Sequence, residues 1–158
     1  ISRIETALSQ EEKDVWQLLL NNPFYKKDYL KSEFPIMTRL DDFWIGGRID
    51  AIVHDAESYY ILDYKTGSTP KNPEFDYQTM IYLLCVNKFL KKYDSLSFVY
   101  INLKDKNNYV IEFKDKLKSQ YELKIKEACA SIKTDVFYQP NCKSCDRCEY
   151  LKICNDKF

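Results

Sequence analysis

Between Glu33 and Lys65 the chain carries three extended runs in succession, EFPIMTRL, FWIGGRIDAIV and SYYILDYK, broken only by polar turns around Asp41 and around Asp55 to Ser58. Runs of apolar and β-branched residues punctuated this way read as consecutive antiparallel strands. After GSTPKNP, residues Phe75, Thr79, Tyr82, Leu83, Val86 and Leu90 recur at helical spacing. SLSFVYINL and NYVIEF then form a hairpin through Lys104 to Asn108, and Leu117, Tyr121, Ile125, Ala128 and Ile132 line one face of a last helix. An opening helix from about Ser9 to Leu20 carries Val15, Leu18 and Leu19, with Ser9 and Glu12 in a capping-box pattern. The order is helix, three strands, helix, two strands, helix and a cysteine-rich tail. It predicts an α/β fold, a central mixed β-sheet flanked by helices with a C-terminal metal-bound cap. Residues 1–139 are expected to form the core and 140–158 a staple within the same domain.

Composition narrows the function classes. At 158 residues, 45% hydrophobic and 30% charged, the chain suits one domain with a real core and is too apolar to be disordered. Its formal net charge is zero, so a polyanion would have to be held by a local patch and not by the field of the whole molecule. The strongest apolar run, Met80 to Val86, is far too short to cross a bilayer. No basic segment followed by an apolar one opens the chain, and no membrane attachment is expected.

Six cysteines would suit a secreted disulfide scaffold, but four of them crowd into Cys142, Cys145, Cys148 and Cys154. That spacing suits metal ligation better than crosslinking of distant loops, which implies a reducing, cytoplasmic setting. Thiolates so arranged hold Zn²⁺ or an iron–sulfur cluster, and spacing alone favours zinc. The segment from Asp135 onward has too few apolar residues to fold unaided, so the centre is expected to be structural. Cys85 and Cys129 fall in apolar periodic segments and read as buried, inert thiols.

Chemistry concentrates where the third strand ends. Tyr59, Ile61, Asp63 and Lys65 share one face of that strand, and Tyr60, Leu62 and Tyr64 the other. In the preceding strand Ile45, Gly47, Ile49, Ala51 and Val53 read as the apolar face, with Gly46, Arg48 and Asp50 opposite. Hairpin pairing would let Asp50 approach Asp63. Two converging carboxylates repel one another unless a cation intervenes, and a hard oxygen-liganded ion such as Mg²⁺ or Mn²⁺ suits them. The plainer reading pairs Asp50 with Arg48 or Lys65. Gln78 and Tyr82 stand one helical turn apart and share a face; Tyr82 alone would be an ordinary core aromatic.

The series G-G-R-I-D, then I-L-D-Y-K-T-G, then a helix bearing Q-x-x-x-Y in DYQTMIYLL resembles the RecB-type branch of the PD-(D/E)XK nuclease superfamily, over Glu33 to about Cys154. The resemblance implies a restriction-endonuclease-like core and phosphodiester hydrolysis. It would make Asp50 and Asp63 metal ligands, with the Tyr64 carbonyl and Glu33 as further ones, and Lys65 the catalytic lysine. Gln78 and Tyr82 would face the site and the DNA, and Lys71, Lys88, Lys91 and Lys92 would line the approach. It also shifts the cysteine centre toward a [4Fe-4S] cluster on Cys145, Cys148 and Cys154, with Cys142 as the fourth ligand. Many members of this branch carry a metal-binding histidine on an early helix, and here no histidine precedes His54.

The expected function is therefore a Mg²⁺- or Mn²⁺-dependent deoxyribonuclease, an exonuclease acting on single strands or ends in recombination, repair or defence. A non-catalytic binding module on the same scaffold, within a helicase–nuclease assembly or a larger parent chain, is the second reading. A zinc-ribbon interaction protein explains the cysteines but leaves Asp50, Asp63 and Lys65 unexplained.

Overall fold

A computed structural model describes residues 8–133 together with Cys148, Glu149 and Leu151. Three helices and five strands follow in order: α1 (Gln10–Leu20), β1 (Asp28–Leu40), β2 (Phe43–Asp55), β3 (Ser58–Lys65), α2 (Tyr77–Phe89), β4 (Ser95–Asn102), β5 (Asn107–Glu112) and α3 (Asp115–Lys133), with a single 3₁₀ turn at Pro73–Phe75 before α2. The chain divides into two compact units, Ile1–Glu127 and Ala128–Phe158. In the second, Ser131 donates to the Ala128 carbonyl and the Leu151 amide to the Cys148 carbonyl. Cys142, Cys145 and Cys154 lie outside the described residues, and Cys148 is exposed. Among the described residues no helix is long and apolar enough to cross a membrane.

The first unit is built on one sheet in chain order, β1-β2-β3-β4-β5. All neighbours pair antiparallel except β3 and β4, which run parallel from Ser58↔Ser95 to Lys65↔Asn102. A parallel pair requires a crossover, and α2 makes it. The mixed sheet and its helices match the sequence expectation. β1 starts at Asp28, earlier than the apolar run at Glu33, because residues 28–33 are exposed and carry no alternation signal. The helix begins at Tyr77 and not at Phe75: Asp76 is its N-cap and accepts from the Gln78 amide at 3.0 Å, a bond of a kind worth about 1 kcal/mol. Ser9 and Glu12 form the expected reciprocal capping box on α1.

The two sides of the sheet are covered differently. α2 buries Thr79, Met80, Leu83, Leu84, Cys85 and Val86. On the other side Ala51, Val53, Leu62, Val99 and Ile101 form a buried cluster on which Leu19 of α1 and Phe24 pack.

This division corrects the single apolar face expected for β2. Phe34 meets Phe89 of α2 and pairs with Ile49, and Gly47 lies under Tyr82, so the outer half of β2 turns its odd-numbered residues to α2. Ala51 pairs with Leu62 and joins the opposite cluster. Alternation therefore fails between Ile49 and Ala51. At that crease the β1–β2 ladder passes from Ser32↔Ala51 to Phe34↔Ile49, skipping Glu33 and Asp50, and Glu33 has a φ of 48°. A non-glycine residue in the left-handed region inside a strand is strained, and local breaks in a ladder re-aim the side chains beside them.

Candidate active site

The crease sets Asp50 beside the end of β3. Its Oδ2 accepts a hydrogen bond from the Tyr64 amide at 3.1 Å. Two paired strands thus deliver Asp50 and Asp63 to one place, and the negative charge of Asp50 is felt at Asp63. Neither plainer partner takes Asp50: Arg48 pairs with Glu33 at 2.9 Å and Lys65 with Asp63 at 2.9 Å.

Asp63 is only 4% exposed. Gln78 Nε2 donates to its Oδ1 at 2.5 Å, and Lys65 Nζ donates to Gln78 Oε1 at 3.2 Å. Asp63, Lys65 and Gln78 therefore close a ring of polar contacts, with the capped first turn of α2 fixing Gln78. Asp63 Oδ2 is ion-paired with the Lys65 ammonium at 2.9 Å. Burial pushes the Asp63 carboxyl above the usual carboxylate range; the Lys65 bond and charge pull it down, Asp50 pushes it up, and Gln78 pulls it down.

The other expected residues fall into two groups. Tyr82 joins the site as a support: its hydroxyl donates to the Arg48 carbonyl at 2.7 Å and burial raises its pKa. The Tyr64 side chain points to the opposite cluster, where its hydroxyl lies 3.1 Å from that of Tyr29 and burial raises its pKa strongly. It is the backbone amide of Tyr64 that bonds Asp50. Glu33 is exposed and held by Arg48, so the structure brings it opposite Asp50 but not into the polar ring. Lys71, Lys91 and Lys92 are exposed, whereas Lys88 is tied to the Arg39 carbonyl. His54 stacks on Tyr59 at 5.5 Å, away from the carboxylates.

Sequence reasoning missed the floor of the site. Tyr100, fully buried on β4, lies beneath Lys65 with its ring centroid 5.5 Å from Nζ. Its hydroxyl is 2.7 Å from Thr79 Oγ1 and 3.4 Å from Asp76 Oδ2. The parallel register of β3 and β4 sets Tyr100 beside Asp63, a placement that the sequence pattern alone does not reveal.

Among the described residues no group of three or more histidine, cysteine or acidic side chains is gathered to hold a metal. Asp50 and Asp63 make two, which is the number of carboxylates commonly offered to Mg²⁺, an ion that keeps several of its waters. Their oxygen chemistry fits such a hard cation.

The family model of the PD-(D/E)XK nuclease superfamily matches residues 4–155. The chain belongs to this superfamily. Among curated relatives, the CRISPR-associated exonuclease Cas4 of Francisella tularensis subsp. novicida is 23% identical over 128 residues, covering 78% of this chain and 63% of that protein. The chain thus spans less than two thirds of that relative's length. Among solved structures, a candidate exonuclease from Eubacterium rectale superposes with a TM-score of 0.54 at 10% identity, covering 91% of this chain and 59% of the other. That likeness is one of fold, and it agrees with the mixed sheet and flanking helices described above.

Proposed function

We propose that the chain is a divalent-metal-dependent nuclease that hydrolyses phosphodiester bonds in DNA, with Asp50 and Asp63 holding Mg²⁺ or Mn²⁺ and the Tyr64 carbonyl as a further ligand. The observation that carries this reading is the buried Asp63 carboxylate, which feels the charge of Asp50 and carries the Lys65 ammonium against its Oδ2. A bound divalent ion supplies charge relief on the phosphate oxygens and a more acidic water.

The chain's own residues do the rest. Lys65 is held between Asp63 Oδ2 and Gln78 Oε1, so its ammonium is preorganised beside the position of a reacting phosphate, where charge develops on hydrolysis. Gln78 fixes the orientation of the Asp63 carboxylate through Oδ1. Tyr100 beneath Lys65 keeps water from one side of the ammonium and adds a favourable cation–ring contact. The Tyr64 amide turns one oxygen of Asp50 inward. Glu33 serves as an outer acid paired with Arg48.

End-directed cleavage is the form of the reaction we favour, supported by the exonuclease name of the Cas4 relative; repair, recombination or defence would be its setting, and a helicase or larger parent chain its companion. Cys142, Cys145, Cys148 and Cys154 are proposed to hold a structural [4Fe-4S] cluster, with Zn²⁺ as the alternative. Digestion of linear and circular DNA, single- and double-stranded, with Mn²⁺ tests the proposal. Loss of linear substrates with sparing of circles supports an exonuclease; intact substrates under all conditions would refute nuclease activity.

A further inference from the structure

The outer half of the β1–β2 hairpin has a face that α2 does not cover. Three register pairs line it in succession: Pro35↔Arg48, Met37↔Gly46 and Arg39↔Trp44. Paired residues project to the same side of a sheet, so these six residues form one surface. Trp44 is 69% exposed and Met37 66% exposed, among the most exposed large apolar residues described. With Pro35 and Gly46 they border a depression of about 410 Å³. Gly46 is flat for a steric reason: a Cβ there would strike the Ile36 carbonyl of the neighbouring strand. A floor of tryptophan, methionine and glycine with an arginine at each end has the chemistry of a stacking platform for bases, with cations for the flanking phosphates.

The charges agree. Arg48 is bound to Glu33, and Arg39 lies 3.6 Å from Asp42 while its Nε donates to the Asp41 carbonyl at 2.7 Å, but both sides of each ion pair are 64–80% exposed. Exposed pairs are weak, so either guanidinium is readily redirected to a phosphate. The surface is also continuous with the candidate active site, because Arg48 reaches Glu33, which stands opposite Asp50 at the crease. From Trp44 to Asp50 the strand spans about 20 Å, at roughly 3.3 Å per residue.

We propose that this face is a binding track for single-stranded nucleic acid, with a base stacked on Trp44 and the strand led past Arg48 toward Asp50. The inference rests on the nuclease reading. A single strand fits better than a duplex, because only unpaired bases present their faces to an aromatic ring.

The test uses the full chain in chelator, so that no hydrolysis occurs, and a dye-labelled oligothymidylate of about 15 nucleotides, within the range of known single-strand sites. Anisotropy should show binding by the wild type and about tenfold weaker binding by Trp44→Leu. In a Trp16→Phe background, where Trp44 is the sole tryptophan, unlabelled oligonucleotide should quench the emission. Equal affinity of Trp44→Leu and wild type, or binding without quenching, would overturn the platform even if the wild type cleaves DNA with Mn²⁺. Concentration-dependent dimerisation that shields Trp44 would assign the face to a second copy of the chain and overturn it as well. A wild type that neither binds nor cleaves would remove both the platform and the nuclease reading.

Discussion

A Cβ built on Gly47 would lie 2.7 Å from the Tyr82 ring and 2.8 Å from its hydroxyl. Tyr82 thus occupies the space that any side chain at position 47 would need, and it uses that space to bond the Arg48 carbonyl. The contact ties α2 to β2 just before the crease that aims Asp50. Gly47→Ala should displace the ring and cost about 1–3 kcal/mol, the usual penalty for overpacking. Tyr82→Leu should relieve much of that cost in the double variant, leaving the pair strongly non-additive in thermal melts. Additive losses would show that the two positions do not compete for one space.

Lys65 offers a separation of activity from stability. Its side chain pairs with the buried Asp63, which Gln78 still holds after Lys65→Ala; the variant should stay folded with a lowered melting temperature, while single-turnover cleavage falls by roughly 10²- to 10³-fold, as for loss of an electrostatic stabiliser. Cleavage at the wild-type rate would remove Lys65 from the mechanism.

The Asp63 carboxyl has a signature in pH. Burial is its largest influence and holds its pKa above the unfolded value, despite the opposing Lys65 pair. An acid raised on folding adds stability that is fully present below the unfolded carboxylate pKa and is lost as pH rises through the higher folded one. Asp63→Asn removes this dependence. In chelator, the melting temperature of the Asn variant relative to wild type should therefore rise as the pH climbs above the ordinary carboxylate value. A difference that moves the other way would mean that the Lys65 ion pair outweighs burial.

If the four clustered cysteines hold an iron–sulfur centre, anaerobically purified protein should be brown, with broad absorbance near ~400 nm. Cys148→Ser should lose the iron and lower the melting temperature, since metal binding in so short a segment is folding energy. A colourless protein with one zinc per chain would replace the cluster with the alternative; a metal-free and fully stable protein would leave the thiols unliganded.

Most of the first unit was legible because its signals are local. Ser9 and Glu12 announce a cap, alternation marks β2 and β3, and the spacing from Thr79 to Leu90 marks α2. The approach of Asp50 to Asp63 follows from hairpin pairing, whereas Lys65, Gln78 and Tyr82 were singled out by the resemblance of the motif series to the nuclease superfamily. The crease at Asp50 was not legible. It depends on Glu33 adopting a φ of 48° and on Phe34 meeting Phe89, a contact between distant parts of the chain. The support of Lys65 by Tyr100 was hidden for the same reason, since a tyrosine in a buried strand reads as core until the parallel register sets it beside Asp63.

The central claim is that Asp50 and Asp63 share a divalent cation. Crystals soaked in Mn²⁺ test it most directly through the anomalous signal of the metal. A peak between the two carboxylates, lost in Asp63→Asn, is the result expected. Carboxylates that point apart with no peak between them, in protein that cleaves DNA, would contradict the claim.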